Sequence, residues 1–208
     1  MKTIKACFTL IRPDLSFAAG ICAVMGMILA ANEIPAITGM LLAFYSVAAI
    51  SGGILAMNDY FDVESDKINA PDRPIPSGAV SPRTAFLFSI LLILSGITLS
   101  AFFGVWSVLV ALLLGMLGFL YNRFFKKTGL PGNLIVSISV GTTFIYGGLA
   151  VGHPFSPLVL FFAVLVALID LGEEIAADAM DAEGDALINS RSIAWQYGSN
   201  HALRVSTG

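Results

Sequence analysis

Residues 58–66 read NDYFDVESD and are followed at 72–78 by DRPIPSG. This acidic stretch lies between two long apolar segments. If it is helical, at about 100° per residue, Asn58, Asp62 and Asp66 share one face and Asp59 lies at its edge. Carboxylates at i,i+4 repel one another, so this arrangement requires a positive partner. The alternative is a solvated loop whose aspartates cap helices and hold turns.

A second acidic stretch repeats the first in the same register. Residues 59–66 and 178–185 both read D-x-x-D-x-E-x-D, and each copy follows an apolar segment and precedes an arginine, Arg73 or Arg191. The repeat indicates a remote internal duplication with one acidic site in each half. Extended backwards, the second copy predicts a stripe of acids on one helix face, formed by Asp170, Glu174, Asp178, Asp181 and Asp185. Two facing stripes predict a cation site.

The composition is that of a membrane protein. Of the 208 residues, 57% are hydrophobic and only 12% are charged, and the mean hydropathy is +0.86. These values exclude an ordinary soluble domain. Apolar segments long enough to cross a bilayer predict an all-α, polytopic transmembrane helical bundle with six spans, near 15–31, 37–57, 84–103, 105–121, 134–151 and 157–177.

The basic residues predict the orientation of these spans. All eleven Lys and Arg residues fall in alternate loops or at the termini, namely Lys2, Lys5, Arg12, Lys67, Arg73, Arg83, Arg123, Lys126, Lys127, Arg191 and Arg204. Short cytoplasmic loops collect basic residues, so both acidic stretches are expected to face the cytoplasm of a multi-pass cell-membrane protein. The net charge of −3 is concentrated in the acidic stretches and indicates metal ions, not nucleic acid, as partners.

The residue types favour phosphate chemistry. Carboxylate oxygens are hard ligands for Mg²⁺, which shares its coordination shell with phosphate oxygens. Paired acidic sites within a membrane bundle therefore indicate a diphosphate substrate with an apolar tail, whose departing diphosphate the metal would stabilise. Such a substrate also requires cationic donors, for which Arg12, Lys126 and Lys127 are candidates. Each of these residues is equally explained as a topology anchor.

These motifs closely resemble those of the UbiA superfamily of intramembrane prenyltransferases. NDxxDxxxD at 58–66 with the following Arg73-Pro74, and DxxDxxxD at 178–185, are similar to the two aspartate-rich motifs of that family. Residues 121–127 with 132–133 resemble its second basic loop, and residues 11–13 its amino-terminal signature. The runs at 126–133 and 181–185 are most similar to archaeal members that transfer a geranylgeranyl group from its diphosphate to geranylgeranylglyceryl phosphate in ether-lipid synthesis.

The resemblance implies a role for each matching residue. The implied catalytic residues are Asn58, Asp59, Asp62, Asp66, Asp178, Asp181 and Asp185, and all but Asn58 are implied ligands of Mg²⁺, the one implied cofactor. The implied diphosphate-binding residues are Arg12, Arg73, Tyr121, Lys126, Lys127 and Arg191. The implied partners are a polyprenyl diphosphate donor, a lipid or aromatic acceptor and membrane lipids. Glu173 stands where the family pattern has a basic residue.

The resemblance also implies a domain organisation. Residues 1–208 are expected to form a single transmembrane prenyltransferase domain that lacks the C-terminal helices of a bundle of about nine. Three other functions remain open from the residues. An aromatic-acceptor prenyltransferase would share the aspartate motifs, a CDP-alcohol phosphotransferase would carry one compact aspartate block, and a divalent-cation transporter would need acids across the whole bilayer.

Overall fold

A computed structural model describes residues 2–180 and 192–207, and in these residues all regular structure is helical. The long helices are α2 (Pro13–Ala31), α3 (Ile37–Phe61), α5 (Pro82–Ser100), α6 (Val105–Leu120), α7 (Leu130–Ala150) and α8 (Pro157–Met180). The shorter ones are α1 (Lys2–Leu10), α4 (Val63–Asn69), α9 (Ile193–Tyr197) and α10 (Ser199–Ser206). The prediction of an all-α bundle is confirmed.

Five segments of the described chain are long and apolar enough to cross a membrane: Pro13–Ala31, Ile37–Phe61, Pro82–Phe103, Val105–Thr128 and Leu130–Ala150. The predicted sixth span is present as the helix α8, but it is not among these five. Its second half carries Asp170, Glu173, Glu174 and Asp178, which make that half polar. The chain is a multi-pass membrane protein. The first half of its helix α8 is apolar and the second half is acidic.

Helix α3 lies at the centre of the bundle. It packs against α2 and α5 and contacts α6, while α7 packs against α2 and α8. Small residues allow these close approaches, because a Cβ atom added to Gly26 or Gly147 would collide with the backbone of the facing helix. The bundle therefore places the N-terminal ends of α2 and α7 and the C-terminal ends of α3, α6 and α8 around one region.

Short elements that the hydropathy pattern did not predict surround this region. Helix α1 precedes α2, and the two are joined at Arg12, whose φ of 43° is rare for a residue other than glycine. After α6 the chain forms a π-helical turn (Tyr121–Phe125) and a 3₁₀ turn (Lys126–Thr128). The connection 70–81 is held down by its buried residues Ile75 and Val80, which pack with Leu10 of α1. Each element carries a polar residue towards the acidic end of α3.

Candidate active site

The first acidic stretch is helical and buried. Helix α3 continues beyond the predicted end of its span to Phe61, and α4 begins at Val63, so that Asp62 forms the junction. Hydrogen bonds from the Asp62 amide to the Asn58 carbonyl and from the Asp66 amide to the Asp62 carbonyl keep one helical register. Asp59, Asp62 and Asp66 are 2%, 8% and 5% exposed, which excludes a solvated loop.

Buried carboxylates require partners, and here each has a cation from a different part of the chain. Arg12 lies 2.7 Å from Oδ1 of Asp59. Arg73 donates to both carboxylate oxygens of Asp66 at 2.7 Å and lies 3.5 Å from Asp59. Lys126 pairs with Asp62. The fold thus brings three predicted diphosphate-binding residues onto the first acidic stretch.

At Asp66 the charge and hydrogen bonds of Arg73 do not fully offset the effect of burial. Burial raises the pKa of Asp66 above the ordinary carboxyl value, and the negative charges of Asp62 and Asp59 add to this, although the hydrogen bond and charge of Arg73 act in the opposite direction. A further positive charge at this position would stabilise the ionised form.

An asparagine pair connects α3 to the turn after α6. Nδ2 of Asn58 donates to Oδ1 of Asn122 at 2.9 Å, and Nδ2 of Asn122 donates to the backbone carbonyl of Ile54 at 3.2 Å. Oδ1 of Asn58 accepts from Arg12 at 3.4 Å. Asn58 therefore belongs to the same network as the ion pairs.

The second acidic stretch begins in the described part of α8. Asp178 accepts a hydrogen bond of 2.9 Å from Nδ2 of Asn133, the fourth residue of α7. One turn earlier in α8, the carboxylate of Glu174 interacts electrostatically with Lys126 and Arg12. These two cations also pair with Asp59 and Asp62 of the first stretch, so Glu174, one turn before the second stretch, lies near cations that the first stretch binds. Asp181, Asp185 and Arg191 lie outside the described residues.

The remaining predicted diphosphate-binding residues differ in their surroundings. Tyr121 is half-buried at the first position of the π-helical turn. Lys127 is exposed and forms no ion pair with residues 2–180 or 192–207. Lys126 and Lys127 are neighbours, yet among the acids of the predicted site that the structure describes, only Lys126 reaches one, Asp62. The structure thereby separates two residues that the sequence treated alike.

The acids fit a Mg²⁺ site by chemistry. Asp59, Asp62, Asp66 and Asp178 offer carboxylate oxygens, and Asn58 offers an amide oxygen, all of which are ligand types that Mg²⁺ uses. Within the described residues no three His, Cys, Asp or Glu side chains form a ready-made metal site. In this structure the three aspartates of the first stretch are instead each paired with a cationic side chain.

Residues 19–208 match the model of the UbiA prenyltransferase family. The chain belongs to this family. The predictions of family, fold class and enzyme class are confirmed, and the family assignment decides against a CDP-alcohol phosphotransferase and a cation transporter.

Several relatives within the UbiA family are named digeranylgeranylglyceryl phosphate synthase. The one from Thermococcus kodakarensis is 34% identical over 97% of this chain and 72% of its own length. The one from Halobacterium salinarum is 37% identical over 99% of this chain and 74% of its own length. The chain thus spans about three quarters of these relatives.

Solved structures agree with this assignment. A structure described for digeranylgeranylglyceryl phosphate synthase in membranes superposes with a TM-score of 0.82 at 31% identity, covering 100% of this chain and 73% of that one. A UbiA homolog from Archaeoglobus fulgidus bound to GPP and Mg²⁺ superposes with a TM-score of 0.78, covering 97% of this chain and 72% of that one. At 19% identity the latter likeness shows the fold alone.

Two asparagines lie in the stretches that resemble the family's second basic loop, but the sequence alone gave neither of them a role in the site. Asn122 and Asn133 are 7% and 3% exposed and hold acidic-stretch residues by hydrogen bonds. A polar amide at the end of an otherwise apolar helix was the available signal, because a buried amide requires partners. Their hydrogen-bond partners come from other helices, so the sequence alone did not identify these contacts.

Proposed function

We propose that this chain catalyses the reaction named for its relatives, in which a geranylgeranyl group passes from its diphosphate to the free hydroxyl of geranylgeranylglyceryl phosphate. The observation that carries this proposal is the set of three buried aspartates, each facing a cation from a different element. Such a set provides oxygens for Mg²⁺ and positive side chains for phosphate at one place. The likeness to relatives at 34% and 37% identity supports the ether-lipid acceptor over an aromatic one.

In this proposal, charged residues of the chain bind the diphosphate of the donor and the Mg²⁺ ion. Arg12, Arg73 and Lys126 contact diphosphate oxygens, and their charges oppose the negative charge that grows as the allylic C–O bond breaks. The residues that would hold Mg²⁺ are Asn58, Asp59, Asp62 and Asp66 of the first stretch and Asp178, Asp181 and Asp185 of the second. When bound, Mg²⁺ acts as a Lewis acid towards the leaving diphosphate.

The apolar helices have a separate role. They surround the prenyl chain and exclude bulk water, which would otherwise capture the allylic cation. The acceptor hydroxyl then forms the new C–O ether bond and loses its proton, either to a carboxylate of the site or to the departing diphosphate. The products are inorganic diphosphate and a lipid that is longer by one prenyl unit.

The test is an assay with labelled donor. Membranes containing the protein receive geranylgeranyl diphosphate and geranylgeranylglyceryl phosphate, with Mg²⁺ or with EDTA. We expect equal amounts of diphosphate and ether-linked lipid, with Mg²⁺ only. A parallel reaction with 4-hydroxybenzoate as acceptor tests the aromatic alternative. Mg²⁺-dependent product with that acceptor alone would replace the ether-lipid assignment, and no diphosphate with either acceptor would overturn prenyl transfer.

We also propose that the site faces the cytoplasm, as the basic loops indicate. Glu33 and Asn69 are exposed and lie beyond opposite ends of α3. In a background without Cys7 and Cys22, we expect Asn69→Cys to react with an impermeant thiol reagent from the cytoplasmic side and Glu33→Cys from the other side. Labelling of both from one side would contradict this topology.

A further inference from the structure

Asn122 occupies an unusual position for a buried amide. It lies in the π-helical turn that follows α6 and is 7% exposed. Turns of this kind interrupt an α-helix at an energetic cost and are frequent at functional sites. Each end of the Asn122 side chain bonds to α3, through Asn58 and the carbonyl of Ile54.

The direction of these hydrogen bonds is determined by their chemistry. A backbone carbonyl only accepts, so the Asn122 NH₂ group must face Ile54. The Asn122 carbonyl oxygen then faces Asn58, and it can be satisfied only by the NH₂ group of Asn58. The carbonyl oxygen of Asn58 is left facing the guanidinium of Arg12, which already pairs with Asp59. The orientation of the Asn58 amide therefore follows from the carbonyl of Ile54 through the shorter hydrogen bond to Asn122, of 2.9 Å, and agrees with the longer one from Arg12, of 3.4 Å.

The packing supports this relay. Ile54 and Asn58 are one turn apart on α3, so a single side chain can bond to both. Gly118, one turn before Asn122 in α6, lies directly against Ile54, because a Cβ atom there would come within 2.5 Å of the Ile54 side chain. This contact brings α6 close to α3 just before the π-helical turn, and the turn then directs Asn122 inward.

We propose that Asn122 is a positioning residue, which turns the carbonyl oxygen of Asn58 into the site as a neutral oxygen ligand for Mg²⁺. This inference rests on the proposed function, because it assigns a purpose to the orientation of Asn58. Without Asn122 the amide of Asn58 can rotate by 180° and present its NH₂ group, which cannot bind a cation. Outer-shell partners that orient a ligand usually contribute measurably to metal affinity.

A purely structural role would give a different result, and a double-mutant cycle separates the two. Asn58→Asp replaces the amide with a carboxylate whose two oxygens are equivalent. Rotation of that group has no consequence, so Asn122 has nothing left to orient. If Asn122 only clamps α6 to α3, its loss should weaken the site equally with either residue at position 58.

The measurement is the binding of Mn²⁺, as a substitute for Mg²⁺, to the purified protein. The EPR signal of free Mn²⁺ reports how much of the ion remains unbound. We expect Asn122→Leu to weaken Mn²⁺ binding about tenfold or more. In the Asn58→Asp background we expect the same substitution to change binding less than about threefold, or to strengthen it by removing an oxygen that opposes the carboxylate.

Controls make each outcome decisive. Asn122→Ser, whose single hydroxyl is too short to bond to both partners, is measured in parallel in case Asn122→Leu does not fold. Ser89→Ala removes a fully buried hydroxyl that donates to the Phe86 carbonyl of the same helix, α5, and it should leave Mn²⁺ binding unchanged. Equal weakening in both backgrounds, or no weakening with Asn58 present, would overturn the inference. A parent protein that binds no Mn²⁺ would overturn the metal dependence of the proposed function itself.

Discussion

Asp62→Ala is expected to lower prenyl transfer by about a thousandfold or more, which corresponds to roughly 4 kcal/mol of lost transition-state stabilisation. Asp62 is 8% exposed and pairs with Lys126. Its removal takes away a proposed metal ligand and leaves Lys126 without its partner. The readout is the rate of diphosphate release at saturating donor and Mg²⁺, measured on protein whose folding is verified by its thermal unfolding midpoint.

Glu64 provides a matched control within the same acidic stretch. It belongs to the repeated D-x-x-D-x-E-x-D pattern, yet its side chain is 84% exposed and, among the described residues, forms its ion pair with the exposed Lys67. Surface ion pairs of this kind contribute little. Glu64→Ala should therefore retain nearly full activity. If the two substitutions reduced activity equally, burial would not be what distinguishes the functional acids.

Gly147→Ala is expected to destabilise the bundle by about 3 kcal/mol or more, because its added Cβ atom would meet a backbone atom that cannot move aside. That atom would be the carbonyl oxygen of Ala23 in α2, at 2.0 Å. The reciprocal contact has the same character, since a Cβ atom on Gly26 would lie 2.2 Å from the carbonyl oxygen of Phe144. The gain of up to about 1 kcal/mol in helix propensity from Gly to Ala is smaller than this cost.

The measurement is the thermal unfolding midpoint in detergent, determined from the loss of monodisperse protein after heating to increasing temperatures. Gly39→Ala is the control, because the nearest atom to its added Cβ would be the flexible Met27 Cε at 3.6 Å. We expect its midpoint to be unchanged or raised. Equal midpoints for Gly147→Ala and Gly39→Ala would show that the close contact between α2 and α7 does not limit stability.

Much of the fold was predictable because its causes are local. A run of apolar residues of bilayer length predicts a span wherever it occurs, and five of the six predicted spans match apolar helices of the structure within a few residues. The sixth, α8, was predicted as a span, but the acids in its second half make that half polar, and α8 is not among the five apolar helices. The short helix α1 escaped prediction because packing stabilises it more than composition does, whereas the helical spacing of Asn58, Asp62 and Asp66 anticipated the first part of α4.

Part of the candidate site was also present in the sequence. The i,i+4 spacing of Asn58, Asp62 and Asp66 and the repeat at 178–185 predicted the acidic motifs and the family, because both are patterns along one chain segment. The repeated D-x-x-D-x-E-x-D pattern also contains Glu64, which the spacing leaves off that helix face. The sequence also treated Lys126 and Lys127 as equals.

Only the tertiary structure decided which of these residues meet. Asp62 is buried against Lys126 while Glu64 is exposed, because α6 ends beside α3 and its following turns direct one lysine inward. Asn122 orients Asn58 across the same contact. Burial and pairing depend on which helix faces come together, and a one-dimensional pattern does not contain that information. The sequence by itself determined the helices and the chemistry available, whereas packing selected the side chains that form the site.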